Sequence, residues 1–270
     1  RTALYLLLKS FYSGRITDVN ERIVMLLDKC PSFLNIPTRS GKTPLYRSIS
    51  KSNNSTRFSD IILFFLDQEG IDLSLPSDLA TNEYKSEMSK KAKKKKEEEK
   101  SISLLHMACS RMMPKVVERL IPLTIHYYEE KGIEENIFTQ KDYDGNTLIN
   151  IACSRNDNQN VDSINYILDY VKNNINYNDP DEFDINYESP TSHLAPLHSI
   201  CSMKESKESL VALSNLLTIE SLNINAIATS GLRTALHFAC LNNNKNVVEK
   251  LITFAPDSID PNIYDNQGNT

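Results

Sequence analysis

The sequence predicts an all-α protein in which pairs of short helices repeat along the chain. Three observations support this prediction. A motif similar to Thr-x-Leu-His-x-x-Cys recurs along the 270 residues, each copy is followed by a second apolar segment, and four of the seven glycines lie two or three residues before a copy. Repetition of this kind is typical of solenoid proteins, in which each unit stacks on its neighbours.

The first helix of each unit is predicted to begin directly after a capping position. The openings are TALYLLL from Thr2, TPLYRSI from Thr43, SLLHMAC from Ser103, TLINIAC from Thr147, APLHSIC from Ala195 and TALHFAC from Thr234, with Thr270 aligned as a further start. Successive openings are 36 to 60 residues apart. Thr and Ser are favoured as caps because the side-chain oxygen accepts a hydrogen bond from a backbone N–H of the first turn.

A second helix is predicted in every unit, because apolar residues recur there at helical spacing. The segments are RIVMLL from Arg22, DIILFFL from Asp60, VVERLI from Val116, INYIL from Ile164, LVALSNLL from Leu210 and VVEKLI from Val247. Between units, Gly41, Gly145 and Gly268 lie two residues before an opening, and Gly231 lies three before one. The turn at Gly231 is therefore predicted to differ from the others by one residue.

These features resemble the ankyrin repeat, whose pattern runs Asp-x-x-Gly-x-Thr-Pro-Leu-His-x-Ala-Ala, a short turn, and Val-x-x-Leu-Leu. TPLY from Thr43 and TALHFAC from Thr234 match its first helix, and Val116 and Val247 each lie 13 residues after an opening, as in the family. DPNIYDNQGNT from Asp260 matches the hairpin between repeats. The resemblance implies an all-α, ankyrin-type solenoid of stacked helix-turn-helix repeats with hairpin loops, a concave face made by the first helices, and the binding of other proteins.

We expect residues 1–270 to form a single solenoid that is a fragment of a longer protein. The expected repeats cover approximately residues 1–37, 38–76, 101–140, 141–189, 190–228 and 229–265. Residues 77–100 include KKAKKKKEEEK and cannot bury an apolar helical stripe. We therefore expect them to be a disordered, low-complexity insertion.

Histidine and cysteine recur at fixed positions after the openings. His106, His198 and His237 lie three residues after one, and Cys109, Cys153, Cys201 and Cys240 lie six after one. The cysteine position is Leu8 and Ile49 in the first two units, so we interpret it as an apolar packing position. The alternative is a zinc site or a Cys-His nucleophile, but one His and one Cys per unit supply half of a tetrahedral ligand set. The resemblance implies that the histidines bind backbone groups and tie adjacent repeats together.

The candidate partner-binding residues follow from their position in the repeat. Lys42, Asn146, Arg233 and Asn269 lie at the predicted hairpin tips, and Lys51, Arg111 and Arg155 each lie eight residues after an opening. In stacked units these last three cations form a ladder that accepts an acidic partner segment. The alternative is that each cation complements the dipole of a helix C-terminus. An acidic loop with Tyr177 and Tyr187 is a further candidate contact.

The composition favours protein recognition over other functions. A net charge of −5 and a pI near 5.6 argue against general nucleic-acid binding. The apolar runs are far shorter than the roughly 20 residues of a membrane helix. Asp142 and Asp144 are spaced like calcium ligands, but the glycine and glutamate that a calcium loop needs are not in place. We expect no catalytic residue, no metal, no cofactor and no small-molecule substrate.

We therefore predict a protein-protein interaction module of the scaffold or adaptor kind, which is not itself an enzyme. Three alternatives stay open: a substrate-targeting or regulatory domain of a larger enzyme or channel, a binder of an anionic ligand or nucleic acid on the basic stripe, and an architectural spacer. The five cysteines and the lack of a secretory leader predict an intracellular, mainly cytoplasmic location. The lysine run between Lys90 and Lys96 is compatible with nuclear import.

Overall fold

The computed structural model describes residues 2–15, 19–52, 56–74, 103–154 and 160–270. They belong to two compact units, unit 1 (Arg1–Gly132) and unit 2 (Ile133–Thr270). Every regular element of these described ranges is helical, apart from one isolated bridge between Ala228 and Arg233. The predicted all-α fold is therefore confirmed. Residues 77–100 lie outside the described ranges, and a single solenoid over residues 1–270 stays a prediction.

The described residues of unit 1 form three helix pairs. They are α1 (Ala3–Tyr12) with α2 (Asn20–Lys29), α3 (Pro44–Lys51) with α4 (Thr56–Leu66), and α5 (Leu104–Ser110) with α6 (Pro114–Lys131); a 3-10 turn at Pro31–Leu34 follows α2. The side-chain oxygens of Thr2, Thr43 and Ser103 cap the first helices, accepting backbone N–H groups at 3.1, 3.1 and 3.2 Å. Each such cap contributes about 0.5–2 kcal/mol, so the helix starts follow from the local sequence.

Three further helix pairs lie in the described residues of unit 2. They are α7 (Leu148–Cys153) with α8 (Val161–Asn174), α9 (Pro196–Ser202) with α10 (Lys207–Leu217), and α11 (Ala235–Leu241) with α12 (Lys245–Phe254). Thr147, Ala195 and Thr234 occupy the N-cap positions of the first helices. Ala195 has no side-chain oxygen, and Pro196 at the next position compensates in part, because its fixed φ suits a first helical turn.

In both units, first helices pack against first helices and second helices against second helices. In unit 1, α3 contacts α1 and α5, and α4 contacts α6; in unit 2, α9 contacts α7 and α11, and α10 contacts α8 and α12. Side chains with no exposed surface fill these contacts, among them Leu45, Leu105, Leu120, Ile164, Leu213 and Leu251. Each contributes about 1.5–3 kcal/mol through burial. None of the described helices combines the length and the apolar character needed to cross a membrane.

Tight hairpins precede the first helices. The backbone N–H of Asp142 donates to the carbonyl of Asn146 at 2.9 Å, and the intervening Gly145 has a φ of 81°. At the hairpin before α11, the N–H of Ala228 donates to the carbonyl of Arg233 at 2.9 Å. This loop is one residue longer than the loop that contains Gly145, as the position of Gly231 predicts. The extra residue is Leu232, which has a φ of 54°, an uncommon conformation for a residue with a bulky side chain.

Candidate functional site

Asn146 is one of the predicted hairpin-tip contacts, and its side chain is buried. It is 7% exposed, and its Oδ1 accepts hydrogen bonds from the hydroxyls of Ser189 at 2.6 Å and Thr191 at 3.2 Å. These partners lie in the following hairpin. The side chain of Asn146 thus joins two hairpins of unit 2, which leaves its neighbours Tyr143 and Asp144 as the exposed residues of this tip.

Arg233 and Asn269 both contact one carboxylate, that of Asp265. The Nε of Arg233 lies 3.4 Å from Oδ2, and the backbone N–H of Asn269 donates to Oδ1 at 2.9 Å. These bonds, that of the Asn269 N–H foremost, lower the pKa of Asp265 from 3.8 to about 2. A lowered carboxyl pKa means that the hairpin is most stable above pH 3.8 and loses stability as the pH falls towards 2. Asn269 is exposed and Arg233 half-buried.

Lys42 lies beside an aromatic ring at the start of α3. Its Nζ is 5.4 Å from the centroid of the Tyr46 ring, and its backbone N–H donates to the hydroxyl of Thr38 at 3.1 Å. Tyr46 is buried, so one end of this first helix presents a cation held over a ring that is itself part of the core. A cation in this position gains about 0.5–1 kcal/mol where it stays exposed to water.

Lys51 and Arg111 are exposed residues at the C-terminal ends of first helices in unit 1. Lys51 is the last residue of α3, and Arg111 is the C-cap residue of α5. A guanidinium N–H of Arg111 donates to the carbonyl of Ser52 at 3.2 Å, just past the end of α3. Arg111 therefore also acts as the helix-end cation that the dipole interpretation describes. Arg155, the third member of the predicted ladder, lies outside the described residues.

The three motif histidines lie at the starts of their first helices. His106 and His198 are buried, and His237 is half-buried. The hydroxyl of Ser103 lies 2.6 Å from Nδ1 of His106. In unit 2, Nε2 of His198 and His237 lies 2.7 and 3.1 Å from the carbonyls of Ala226 and Asn269 in the following hairpins.

The bonds of His198 fix which ring nitrogen carries the proton. Its Nδ1 accepts the backbone N–H of Ala195 at 3.1 Å, so the hydrogen lies on Nε2, which donates to Ala226. Burial lowers the pKa of His198 below its usual 6.5, more strongly than the bond to Ala226 and the charge of Glu188 raise it. The neutral ring is therefore the form that fits this position.

Asn150 takes the same place in α7 as the histidines in α9 and α11. Its Oδ1 accepts the backbone N–H of Thr147 at 3.2 Å, and its Nδ2 donates to the carbonyl of Tyr187 at 3.0 Å. An amide thus reproduces the acceptor and the donor of a neutral imidazole. Tyr187, a predicted contact residue, holds this bond through its backbone, and its hydroxyl donates to the carbonyl of Gly145 at 3.0 Å.

The cysteines at the sixth position differ in exposure. Cys109, Cys153 and Cys201 are buried, whereas Cys240 is exposed, and none of the four forms a disulfide within the described residues. Burial raises the pKa of Cys153 and Cys201, which disfavours the reactive thiolate. Cys240 departs from the predicted packing role, because α11 is the last first helix of the described chain and no further first helix covers it. Among the described residues, no group of three or more His, Cys, Asp or Glu is placed to hold a metal ion.

Sequence reasoning missed Arg47, which lies on α3 four residues after Thr43. Its guanidinium carbon lies 4.4 Å from the centroid of the Tyr5 ring on α1. The first helices of unit 1 contain three cations, Lys9, Arg47 and Lys51, and no carboxylate. Those of unit 2 contain no Lys, Arg, Asp or Glu. This difference in charge between the two sets of first helices is visible in the sequence once their segments are aligned. It is the signal from which Arg47 could have been identified.

Comparison with known proteins gives one family match. No curated protein matches the chain. The family model described as ankyrin repeat matches residues 232–266, which span the hairpin at Arg233, both helices of the last pair and part of the hairpin that follows. Ankyrin repeats are modules that bind other proteins and have no catalytic role of their own. The match supports the resemblance seen in the sequence: residues 232–266 are similar to an ankyrin repeat, and helix pairs recur in the other described ranges.

Proposed function

We propose that this chain is a scaffold or adaptor module that binds an acidic segment of another protein along the first helices of unit 1. The supporting observation is the charge of these helices, which present cations and no carboxylate. The carboxylates of the unit 1 helices lie on the second helices, for example Asp60 and Glu118. A surface of one sign favours a partner segment of the opposite sign and speeds its association.

The contact surface that we propose consists of Lys42, Arg47, Lys51 and Arg111. Lys51 and Arg111 are exposed, and Lys42 and Arg47 are half-buried. Arg233 and Asn269 of unit 2 remain proposed hairpin contacts, although both also contact Asp265. We leave Asn146 out, because its side-chain oxygen is already bound to Ser189 and Thr191.

The cysteines support a site of action inside the cell. None of the five forms a disulfide within the described residues, and three of them are buried in the helix packing. A reducing compartment preserves free thiols, whereas secreted domains of this size commonly use disulfides. The proposed adaptor therefore acts on an intracellular partner.

The experiment is a binding titration with a terminally blocked, Glu-rich peptide, followed by fluorescence anisotropy. The double variant Lys51→Glu with Arg111→Glu should weaken binding about 100-fold or more, because hydrogen bonds to charged groups contribute about 1.5–3 kcal/mol each. The matched control is Lys29→Glu with Lys115→Glu, which changes the net charge equally on the second helices α2 and α6. Circular dichroism should show both variants folded.

The same titration separates the competing functions. A duplex DNA oligonucleotide serves as a second probe at several salt concentrations. Tight DNA binding with a steep salt dependence and no peptide binding would contradict the proposal in favour of a nucleic-acid binder. Equal weakening by both double variants would show that net charge alone attracts the peptide, which would also contradict it.

A further inference from the structure

Arg47 is held in an unusual environment between two first helices of unit 1. It lies on α3, and its guanidinium stands over the ring of Tyr5 on α1, 4.4 Å from the ring centroid. Its Nε is buried and has no hydrogen-bond partner. No ion pair to Arg47 is formed by any residue in the described ranges. The Tyr5 ring thus positions the guanidinium of Arg47, and no hydrogen-bond acceptor among the described residues does so.

An unpaired donor in this place has a cost. A buried N–H without an acceptor costs about 1–3 kcal/mol, and the contact with Tyr5 does not offset this through hydrogen bonding, since a cation over a ring uses none of its N–H donors. All five donors of a guanidinium lie in its plane and suit a carboxylate or a phosphate. The Nε–H itself is enclosed, but Arg47 is only half-buried. An arriving anion would therefore meet the terminal N–H groups of a guanidinium that the Tyr5 ring already orients.

Hydroxyls lie near Arg47, and no carboxylate of the described residues pairs with it. The nearby Tyr12 is bound to the hydroxyl of Ser48 at 2.6 Å, and Ser48 donates to the carbonyl of Pro44 at 2.8 Å. The charge of Arg47 acts on Tyr12 and opposes the rise in its pKa caused by burial. Lys51 lies four residues further along α3, where two like charges repel each other across one helical turn. A bound anion would relieve this repulsion.

We propose that Arg47, positioned by Tyr5, is the anchor that receives one anionic side chain, a carboxylate or a phosphate, of the acidic partner segment. This inference rests on the proposed function and adds a specific recognition residue to it. Lys51 and Arg111 attract the segment through charge, whereas Arg47 fixes one of its anions by directed hydrogen bonds. Lysine at position 47 keeps the charge but lacks the Nε–H and the planar donor set.

The test combines binding with the NMR signal of the Arg47 Nε–H group in the complete, ¹⁵N-labelled chain. Two blocked peptides of about equal charge serve as probes, one with glutamates and one with about half as many phosphoserines, because a phosphoserine carries about −1.5 to −2 charges near pH 7. Arg47→Lys should weaken binding about tenfold or more, the effect of losing a charge-assisted hydrogen bond. In the wild-type protein, the Arg47 Nε–H signal should shift on titration with a peptide that binds. The matched control is Arg119→Lys, because Arg119 is already paired with Asp67 at 3.1 Å.

The outcomes separate this inference from the proposed function. A shift with both peptides shows that a carboxylate is sufficient, and a shift with the phosphoserine peptide alone identifies phosphate; both support the anchor. If reversal of Lys51 and Arg111 abolishes binding but Arg47→Lys has no effect and the Nε–H signal does not move, the anchor is refuted and the proposed function stands. If neither peptide binds the wild-type chain, the proposed function fails and the anchor fails with it.

Discussion

The third residue after the N-cap has different roles in the two units. In unit 1, this position is Tyr5 in α1 and Tyr46 in α3, and each ring lies beneath a cation. In unit 2, it is Asn150, His198 and His237, whose side chains bind the carbonyl of a following hairpin. His106 in α5 of unit 1 keeps the imidazole and pairs with Ser103. One repeat position thus supports a charged surface in unit 1 and ties hairpins together in unit 2.

Under the proposed function, this difference assigns stability to one set of first helices and recognition to the other. A neutral amide or imidazole whose donor and acceptor both form hydrogen bonds within the protein stabilises the fold. A tyrosine ring beneath a cation uses none of the N–H donors of that cation. The uncharged first helices of unit 2 thus hold the hairpins, whereas the cationic first helices of unit 1 are the proposed site for an acidic segment.

The largest expected effect is the loss of a hairpin tie in unit 2. His198→Ala and Asn150→Ala should each lower the free energy of unfolding by about 2–4 kcal/mol, because each leaves a donor and an acceptor unpaired. Urea unfolding followed by circular dichroism measures the change. His126→Ala is the control, since His126 is a histidine with 68% of its side chain exposed. A loss below about 1 kcal/mol for His198→Ala would refute the tie.

The second effect is a pH dependence that distinguishes the imidazole tie of His198 from the amide tie of Asn150. The unfolded chain takes up a proton at His198 below pH 6.5, while the folded chain with its lowered pKa resists it. The contribution of His198 is therefore complete above pH 6.5 and declines as the pH falls, by at most about 1.4 kcal/mol per pH unit. His198→Asn should retain both bonds, as Asn150 does, and remove this decline. Urea unfolding of both proteins between pH 5 and 8, about the range in which histidine titrates, should show a difference that changes below pH 6.5; a constant difference would contradict it.

The third effect concerns the cation over an aromatic ring in unit 1. Tyr5→Leu should cost about 0.5–1 kcal/mol of stability through loss of the contact with Arg47, and Tyr5→Phe, which keeps the ring, should cost less. Thermal unfolding compares the two variants. Equal losses of stability in Tyr5→Leu and Tyr5→Phe would show that the hydroxyl group, and not the aromatic ring, is responsible for the effect.

The smallest effect comes from placing a cation on a first helix of unit 2. Asn242 is the exposed C-cap residue of α11, at the repeat position of Lys51. Asn242→Lys should stabilise the chain by at most about 0.3–1 kcal/mol through the helix dipole. It should change the affinity for the Glu-rich peptide little, because α11 offers no second cation. A gain in affinity as large as the loss from reversing Lys51 and Arg111 would show that any exposed cation on a first helix is sufficient.

The sequence predicted the features that depend on local chemistry. Helix starts at Thr2, Thr43 and Ser103 follow from side-chain caps that act within three residues, and the longer turn follows from the position of Gly231. The proposed binding residue Arg47 depends instead on a contact between neighbouring helix pairs of unit 1. Arg47 and Tyr5 are 42 positions apart, and they meet only because α3 packs on α1.

Two site residues behave differently from their sequence pattern for the same reason. Asn146 looks like an exposed tip residue until the following hairpin brings Ser189 against it. Cys240 shares its repeat position with buried Cys201, but α11 covers Cys201 and no further first helix of the described chain covers Cys240. In each case the exposure of the residue is determined by the neighbouring repeat of unit 2 and not by the repeat that contains the residue.

The most direct test of the account is to map the bound Glu-rich peptide on the complete chain by NMR chemical-shift changes. The account predicts that the shifted amides lie in α1, α3 and α5, around Arg47, Lys51 and Arg111, while amides of α7, α9 and α11 stay unchanged. Shifts confined to the second helices, or to the uncharged first helices of unit 2, would contradict the claim that the charge of the first helices selects the partner.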